Sequence, residues 1–279
     1  MIDRPTREAL IAAVREAAQI EIVPRFRALP DGTVRSKSAP DDLVTDADTG
    51  MEHRLSARVA DILPDALILG EEAASEDPSV LDRAATPGSC VIIDPVDGTW
   101  NFASGISTFG TILAVTEGGE TTFGLLYDPL QDDWIEATRG EGASFNRPGL
   151  PAQALQVAPP ETLPNMTGFI GLPLFPKDKQ SDIALGFPAL RRVLGLRCSC
   201  HEYRTLAMGR VSFNVNGMLK PWDHAAGALV VEEAGGVARM LDGRPYAPTL
   251  HEGCMIAASD DATWSAVADH FGPRILGRI

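Results

Sequence analysis

The sequence predicts a protein of mixed α+β and α/β class, with helices and an antiparallel meander in its first half and alternating strands and helices in its second. Three observations predict it. Apolar residues recur at helical spacing twice before residue 64, short apolar runs alternate with turn signals between Phe109 and Phe145, and strand and helix patterns then take turns to the end. A chain of 279 residues has room for about two domains, or for one large unit with two layers of sheet.

From Thr6 to Leu29, Leu10, Val14 and Ala17 or Ala18 repeat with Arg and Glu between them, which makes an amphipathic opening helix. Asp31-Gly32 turns the chain. Thr49 is a candidate cap for a second helix carrying Met51, Leu55, Val59 and Ile62 until Pro64 stops it. Ala66–Leu69 and Cys90–Ile93 read as strands, each ending in acid: Gly70-Glu71-Glu72 after the first, Asp94-Pro95-Val96-Asp97-Gly98-Thr99 after the second. Phe109–Val115, the Gly118-Gly119 turn, Thr121–Asp128, the Asp128-Pro129 turn and Asp133–Thr138 form the meander. The prolines at 148, 151, 159 and 160 mark a junction, giving an expected amino-terminal half at 1–148 and a carboxy-terminal half at 149–279. Beyond it, Gly168–Leu172, Arg210–Val215 and Cys254–Ala258 read as strands, Asp223–Ala234 as a helix closed by Gly235-Gly236, and Ala262–Phe271 as a last helix.

The formal net charge of −14 opposes nucleic acid and anionic membranes, and 6% aromatic residues weaken any base-stacking surface. No run of eighteen apolar residues occurs, and MIDRPTREAL lacks the basic and apolar regions of a signal peptide, so a cytoplasmic protein without a membrane partner is expected. Cys90, Cys198, Cys200 and Cys254 lack the density of a disulfide scaffold and the CxxC spacing of a zinc site, and read as buried or free thiols. If that stretch is a strand, Cys198 and Cys200, two residues apart, lie on one face, and no base is identifiable that would make either a nucleophile.

Asp94 and Asp97, read as a turn, can converge on one hard cation, with Gly98 and Thr99 offering N–H groups and a hydroxyl to an anion beside it. A plain surface turn explains the same residues. Glu71 and Glu72 end a neighbouring strand, and Asp223 is either a helix cap or a ligand. Asp48, among Thr45, Asp46 and Thr49, is a capping residue or something more.

Taken together, KSAPDDLVTDAD from Lys37 to Asp48, GEE at 70–72, DPVDGTWNF at 94–102 and PWDHAAGALVVEEAGG at 221–236 resemble the inositol monophosphatase family of magnesium-dependent, lithium-sensitive phosphatases. The resemblance implies a layered αβαβα sugar-phosphatase sandwich with an antiparallel amino-terminal sheet and a mixed carboxy-terminal one. It also implies two to three Mg²⁺ ions: Glu71, Asp94 and the Val96 carbonyl at the first, Asp94, Asp97 and Asp223 at the second, and Glu71 with water at a weaker third. The family's mechanism is in-line attack by metal-activated water, with Thr99 and Asp48 relaying the proton, Glu72 close by, and Gly98 and Thr99 holding phosphate. Lys37 matches a lysine near the metal-binding loop, although a solvated charge reads the same. A homodimer is the family's usual state.

At the places where the family's inositol phosphatases contact substrate hydroxyls, this chain has Cys200-His201-Glu202 and Asn216. An amide at Asn216 removes a strong acceptor for a polyol. Glu202 suits a cationic substrate, or pairs with Arg197 or Arg204. His201 reads as a packed residue, since metal-assisted hydrolysis needs no histidine. The leading expectation is therefore hydrolysis of a small polyol phosphate, inositol monophosphate first; histidinol phosphate is the alternative substrate, and a protein-partner role in transcription complexes, known among some family members, is the alternative of another class.

Overall fold

A computed structural model of the chain describes residues 2–30, 32, 34–37 and 43–277. The expected turn at Asp31 and the segment 38–42 of the first motif lie outside them. The helices are α1 (Arg4–Glu21), α2 (Asp46–Ile62), α3 (Glu71–Glu76), α4 (Thr99–Ala103), α5 (Lys177–Ala184), α6 (Ser199–Ala207), α7 (Pro221–Glu233) and α8 (Asp261–Leu276). A short ribbon pairs β1 (Arg35–Ser36) with β2 (Leu43–Val44).

The first large sheet runs in chain order through β3 (Leu67–Gly70), β4 (Ser89–Asp97), β5 (Gly110–Glu117), β6 (Glu120–Asp128), β7 (Asp133–Thr138), β8 (Gly142–Asn146) and β9 (Gln153–Ala154). It is antiparallel throughout except for the parallel edge pair β3–β4. The second sheet is mixed. It contains β10 (Thr167–Ile170), β11 (Arg192–Leu194), β12 (Phe213–Asn216), β13 (Val237–Met240) and β14 (Met255–Ala258) in the order β11-β10-β12-β14-β13.

Strand alternation produces the layering. On β4, Val91 and Ile93 face one way and meet Leu10, Val14, Met51 and Leu55 of α1 and α2, whereas Cys90 and Ile92 face the other way and join Tyr203, Leu206, Leu229 and Val230 of α6 and α7. The same middle helices receive Phe169, Met255 and Ala257 from the second sheet, whose opposite face, with Ile170, Phe213 and Ile256, packs on Ile183, Val267 and Phe271 of α5 and α8. The result is the αβαβα sandwich. Both sheets are covered on both sides, which is why their strands are nearly continuous apolar runs. Among the described residues no helix is long and apolar enough to cross a membrane.

Several boundaries differ from the sequence reading, each for a local reason. Thr45 rather than Thr49 caps α2, because Thr45 Oγ1 accepts from the Ala47 N–H at 3.1 Å while Asp48 Oδ2 accepts from the Thr45 N–H at 2.8 Å, closing a capping box. Helix α7 starts at Pro221, so Asp223 lies inside its first turn and is not its cap. Cys198 and Cys200 open α6 instead of lying on a strand.

The middle layer is tightly fitted. A Cβ on Gly227 of α7 would come within 2.1 Å of the Tyr203 ring of α6, and that ring is fully buried with its hydroxyl 3.0 Å from His224 Nδ1. Gly227→Ala is therefore expected to destabilise the protein by about 1–3 kcal/mol, the usual cost of overpacking, measured as a lower melting temperature. An unchanged melt would show that Tyr203 yields.

Candidate metal and phosphate site

Regular alternation would put Asp94 and Asp97, three residues apart on β4, on opposite faces of the sheet. The pairing of β4 with β5 shifts register between them, so the strand bulges at Pro95-Val96. The Thr111 hydroxyl donates to the Pro95 carbonyl at 2.9 Å and ties the bulge down. The pair thus lies on a bulged strand, not on the expected turn. Helix α7 brings Asp223 to the same point, and one oxygen from each of Asp94, Asp97 and Asp223 lies within 4.8 Å of the others.

Asp94 Oδ1 is buried and has no hydrogen-bond partner. Burial, then repulsion from Glu71, Asp97 and Asp223, holds the Asp94 carboxyl well above the usual carboxylate range, and burial, then repulsion from Asp97 and Glu71, does so for Asp223. Asp97 is pushed up to about 6 by burial, against the N–H of Cys200 that lowers it. An orphaned carboxylate oxygen among hard oxygen donors that repel one another fits a divalent cation.

Asp97 is oriented by α6: its Oδ2 accepts from the Cys200 N–H at 2.5 Å and from the Cys198 thiol at 3.1 Å. Next in the chain, Gly98 has φ +87°, a region where glycine is favoured, and a Cβ there would sit 3.1 Å from the Thr108 carbonyl. That geometry starts α4 and brings the Thr99 hydroxyl 3.0 Å from Asp48 Oδ1 and 2.9 Å from the Val96 carbonyl. Asp48 therefore combines both readings of its sequence: Oδ2 closes the capping box and Oδ1 faces Thr99. Burial raises its pKa to about 6.

Glu71 and Glu72 begin α3, and Lys37 Nζ bridges them at 2.9 and 2.6 Å. Burial and the adjacent Glu71 push Glu72 up to about 8. Sequence reasoning missed Glu52. Its carboxylate accepts the N–H groups of Glu72 and Ala73 at 2.8 and 2.9 Å, and a Cβ on Gly70 would come within 2.2 Å of Glu52 Cδ. The available signal was spacing, since Asp48 and Glu52 are one helical turn apart on α2.

Of the four expected substrate contacts, Cys200, Glu202 and Asn216 are buried and His201 is half-buried. Cys200 is fully buried with its thiol 3.7 Å from the Tyr127 carbonyl, and His201 Nε2 is 3.0 Å from the Phe109 carbonyl, burial lowering its pKa. Glu202 Oε1 accepts from the Leu196 N–H at 2.8 Å. Arg204, one of the two arginines expected to pair with Glu202, binds Asp133 instead. Asn216 donates to the Tyr203 hydroxyl at 3.4 Å. The segment lying against the Gly98 turn is Arg197–Cys198, whose Arg197 carbonyl and Cys198 Cβ are each 3.3 Å from the point a Gly98 Cβ would occupy. No sequence signal marked Arg197.

Known proteins resemble this chain along most of its length. Residues 3–271 match the profile described as the inositol monophosphatase family. The inositol-1-monophosphatase of Bacillus subtilis (strain 168) is 31% identical over 217 residues, 77% of this chain and 78% of that one. The Nus factor SuhB of Pasteurella multocida (strain Pm70) is 29% identical over 266 residues, 91% of each chain. Among solved structures, the Thermotoga maritima IMPase superposes with a TM-score of 0.79 at 25% identity, covering 98% of this chain and 100% of its own.

Proposed function

Because this chain belongs to the inositol monophosphatase family, a family of phosphoric monoester hydrolases, we propose that it hydrolyses the phosphate monoester of a small polyol, inositol monophosphate first, with Mg²⁺ held by Glu71, Asp94, Asp97, Asp223 and the Val96 carbonyl. The observation that carries the reading is the convergence of three carboxylates within 4.8 Å beside a threonine hydroxyl 3.0 Å from a buried aspartate. Bound Mg²⁺ supplies Lewis-acid stabilisation of the phosphoryl charge and a more acidic water. A net charge of −14 makes such local cations necessary for holding a phosphate dianion.

The chain's own residues handle the proton and the phosphate. Thr99 Oγ1 accepts a proton from the attacking water while its own hydroxyl proton passes to Asp48 Oδ1, whose pKa of about 6 suits it to that exchange near neutral pH. Gly98 and Thr99 N–H groups, at the start of α4, receive phosphate oxygens. Glu52 and Lys37 position Glu71 and Glu72. Glu202, buried on the Leu196 N–H, gives no surface to a cationic substrate, which argues against histidinol phosphate. A homodimer in the cytoplasm fits the family.

The test is phosphate release from inositol 1-phosphate, histidinol phosphate and fructose 1,6-bisphosphate, with and without Mg²⁺, against Asp94→Asn as the blank. A Mg²⁺-dependent preference for the inositol ester is expected. No release above the blank from any of the three would defeat the reading. The match to a Nus factor over 91% of the chain favours a second role, binding of a transcription partner; that binding would survive Asp94→Asn.

A further inference from the structure

Asp97 and Asp223 reach the carboxylate cluster from different elements, and their like charges oppose the approach. The fold must hold them together. Asp97 is fixed to the start of α6 through the Cys200 N–H and the Cys198 thiol, and Asp223 lies in the first turn of α7. Three residues beyond Cys200, the Tyr203 hydroxyl lies 3.0 Å from Nδ1 of His224, the residue after Asp223. Both side chains are buried. His224 Nε2 is 2.7 Å from the Met218 carbonyl, which can only accept, so Nε2 carries the proton and Nδ1 accepts from Tyr203. The Asn216 amide donates to the Tyr203 oxygen at 3.4 Å and completes a one-way chain of donors from β12 through α6 to α7. The imidazole is confined further by the rings of Tyr203 and Tyr246, each T-shaped to it with centroids 6.0 and 6.4 Å away.

We propose that Tyr203 and His224 are positioning residues whose hydrogen bond sets the gap between Asp97 and Asp223, and with it the affinity of the cluster for a divalent cation; this rests on the metal-site part of the hydrolase reading. Neither side chain is a ligand, since the hydroxyl and both ring nitrogens are engaged within the chain of donors. The bond reaches the cluster through one turn of α6 on one side and one peptide of α7 on the other, and a helix is stiff over so short a span. Without it, repulsion between the carboxylates acts on a joint held by apolar packing, which is non-directional. Support one layer behind the ligands is worth about tenfold to hundredfold in metal affinity.

The probe is Mn²⁺, which takes the same oxygen donors as Mg²⁺, titrated calorimetrically into the substrate-free protein. Tyr203→Phe keeps the ring against Gly227 and removes only the hydroxyl; its Kd should be about tenfold to hundredfold above that of the wild type. His224→Gln keeps a donor for the Met218 carbonyl, loses the acceptor at Nδ1 and should act alike, so it carries the test if Tyr203→Phe does not fold. The double variant should be no weaker than the weaker single one, because both changes break one bond. Val267→Ala, in the outer layer, should lower the melting temperature and leave the Kd where it is. Phosphate release lost in Tyr203→Phe should return as Mg²⁺ is raised, which a merely structural defect would not allow. A Kd unmoved in both single variants, losses that add in the double variant, or an equal loss in Val267→Ala overturns the proposal. If the Kd shifts as expected but no ester is cleaved, the hydrolase reading fails and the positioning role stands. If esters are cleaved and the Kd does not move, the positioning role fails alone, and a wild type that binds no Mn²⁺ defeats both.

Discussion

Phosphate release is expected to fall at least about a thousandfold when Asp94 is replaced by Asn, the scale of losing a group that stabilises transition-state charge, while the metal-free variant melts at a higher temperature than the wild type. The two effects share one cause. Asp94 is 1% exposed, its Oδ1 has no partner, and Glu71, Asp97 and Asp223 all oppose its charge. An amide of the same shape carries no charge and donates N–H bonds to those carboxylates, which is worth about 1–3 kcal/mol where a buried repulsive group is removed. With saturating Mg²⁺ the order reverses, because ligand that binds only the folded wild type adds about 2.7 kcal/mol at a hundred times its Kd. Melting curves with EDTA and with Mg²⁺, beside phosphate assays, read both effects. A variant less stable than the wild type in EDTA would mean that the cluster is not under electrostatic strain, and retained phosphate release would remove Asp94 from the site.

What the sequence made legible follows from what is local. The opening helices, the meander and the acids at the strand ends were readable because a strand end, a glycine turn and an acid form one short word each. The ambiguity of Asp48 could not be settled that way, since its two oxygens do two jobs and only the folded geometry shows both. The bulge between Asp94 and Asp97 was hidden for a similar reason: it is a property of the β4–β5 pairing, not of Pro95-Val96 alone. Glu52 and Arg197 act across 21 and 97 residues, on Ala73 and on Trp100, and spacing arguments that stay within one element do not reach that far. The resemblance put the substrate segment at Cys200-His201-Glu202, whereas the stretch that packs against Gly98 is Arg197–Cys198.

The metal-free wild type is expected to lose stability as pH rises from about 6.5 to 8, and Mg²⁺ to flatten that loss. The carboxyls with folded-state pKa values above their ordinary ones include Asp48 and Asp97 at about 6, Glu202 at about 7 and Glu72 at about 8, each chiefly through burial. The unfolded chain releases those protons near pH 4 and the folded chain keeps them longer, so the folded state binds more protons and stability falls with rising pH until the folded pKa is passed. Histidine acts in the opposite sense at the acid end. His224 is lowered to about 4 by burial, its ring held between the Tyr203 hydroxyl and the Met218 carbonyl, so stability rises with pH between about 4 and 6.5 on its account. The two contributions oppose each other below pH 6.5, and the carboxyl contribution stands alone above it. There Glu72, with a side chain 12% exposed, contributes about 1.4 kcal/mol per pH unit, roughly 2 kcal/mol over the window, or about 4–8 °C in melting temperature for a chain of this size. A divalent cation that keeps the cluster ionised in the folded state removes the extra protons and with them the slope. Melting temperatures taken in EDTA and in Mg²⁺ across this window decide it: equal slopes in the two series would mean that the cation does not lower the pKa of Glu72, the neighbour of Glu71.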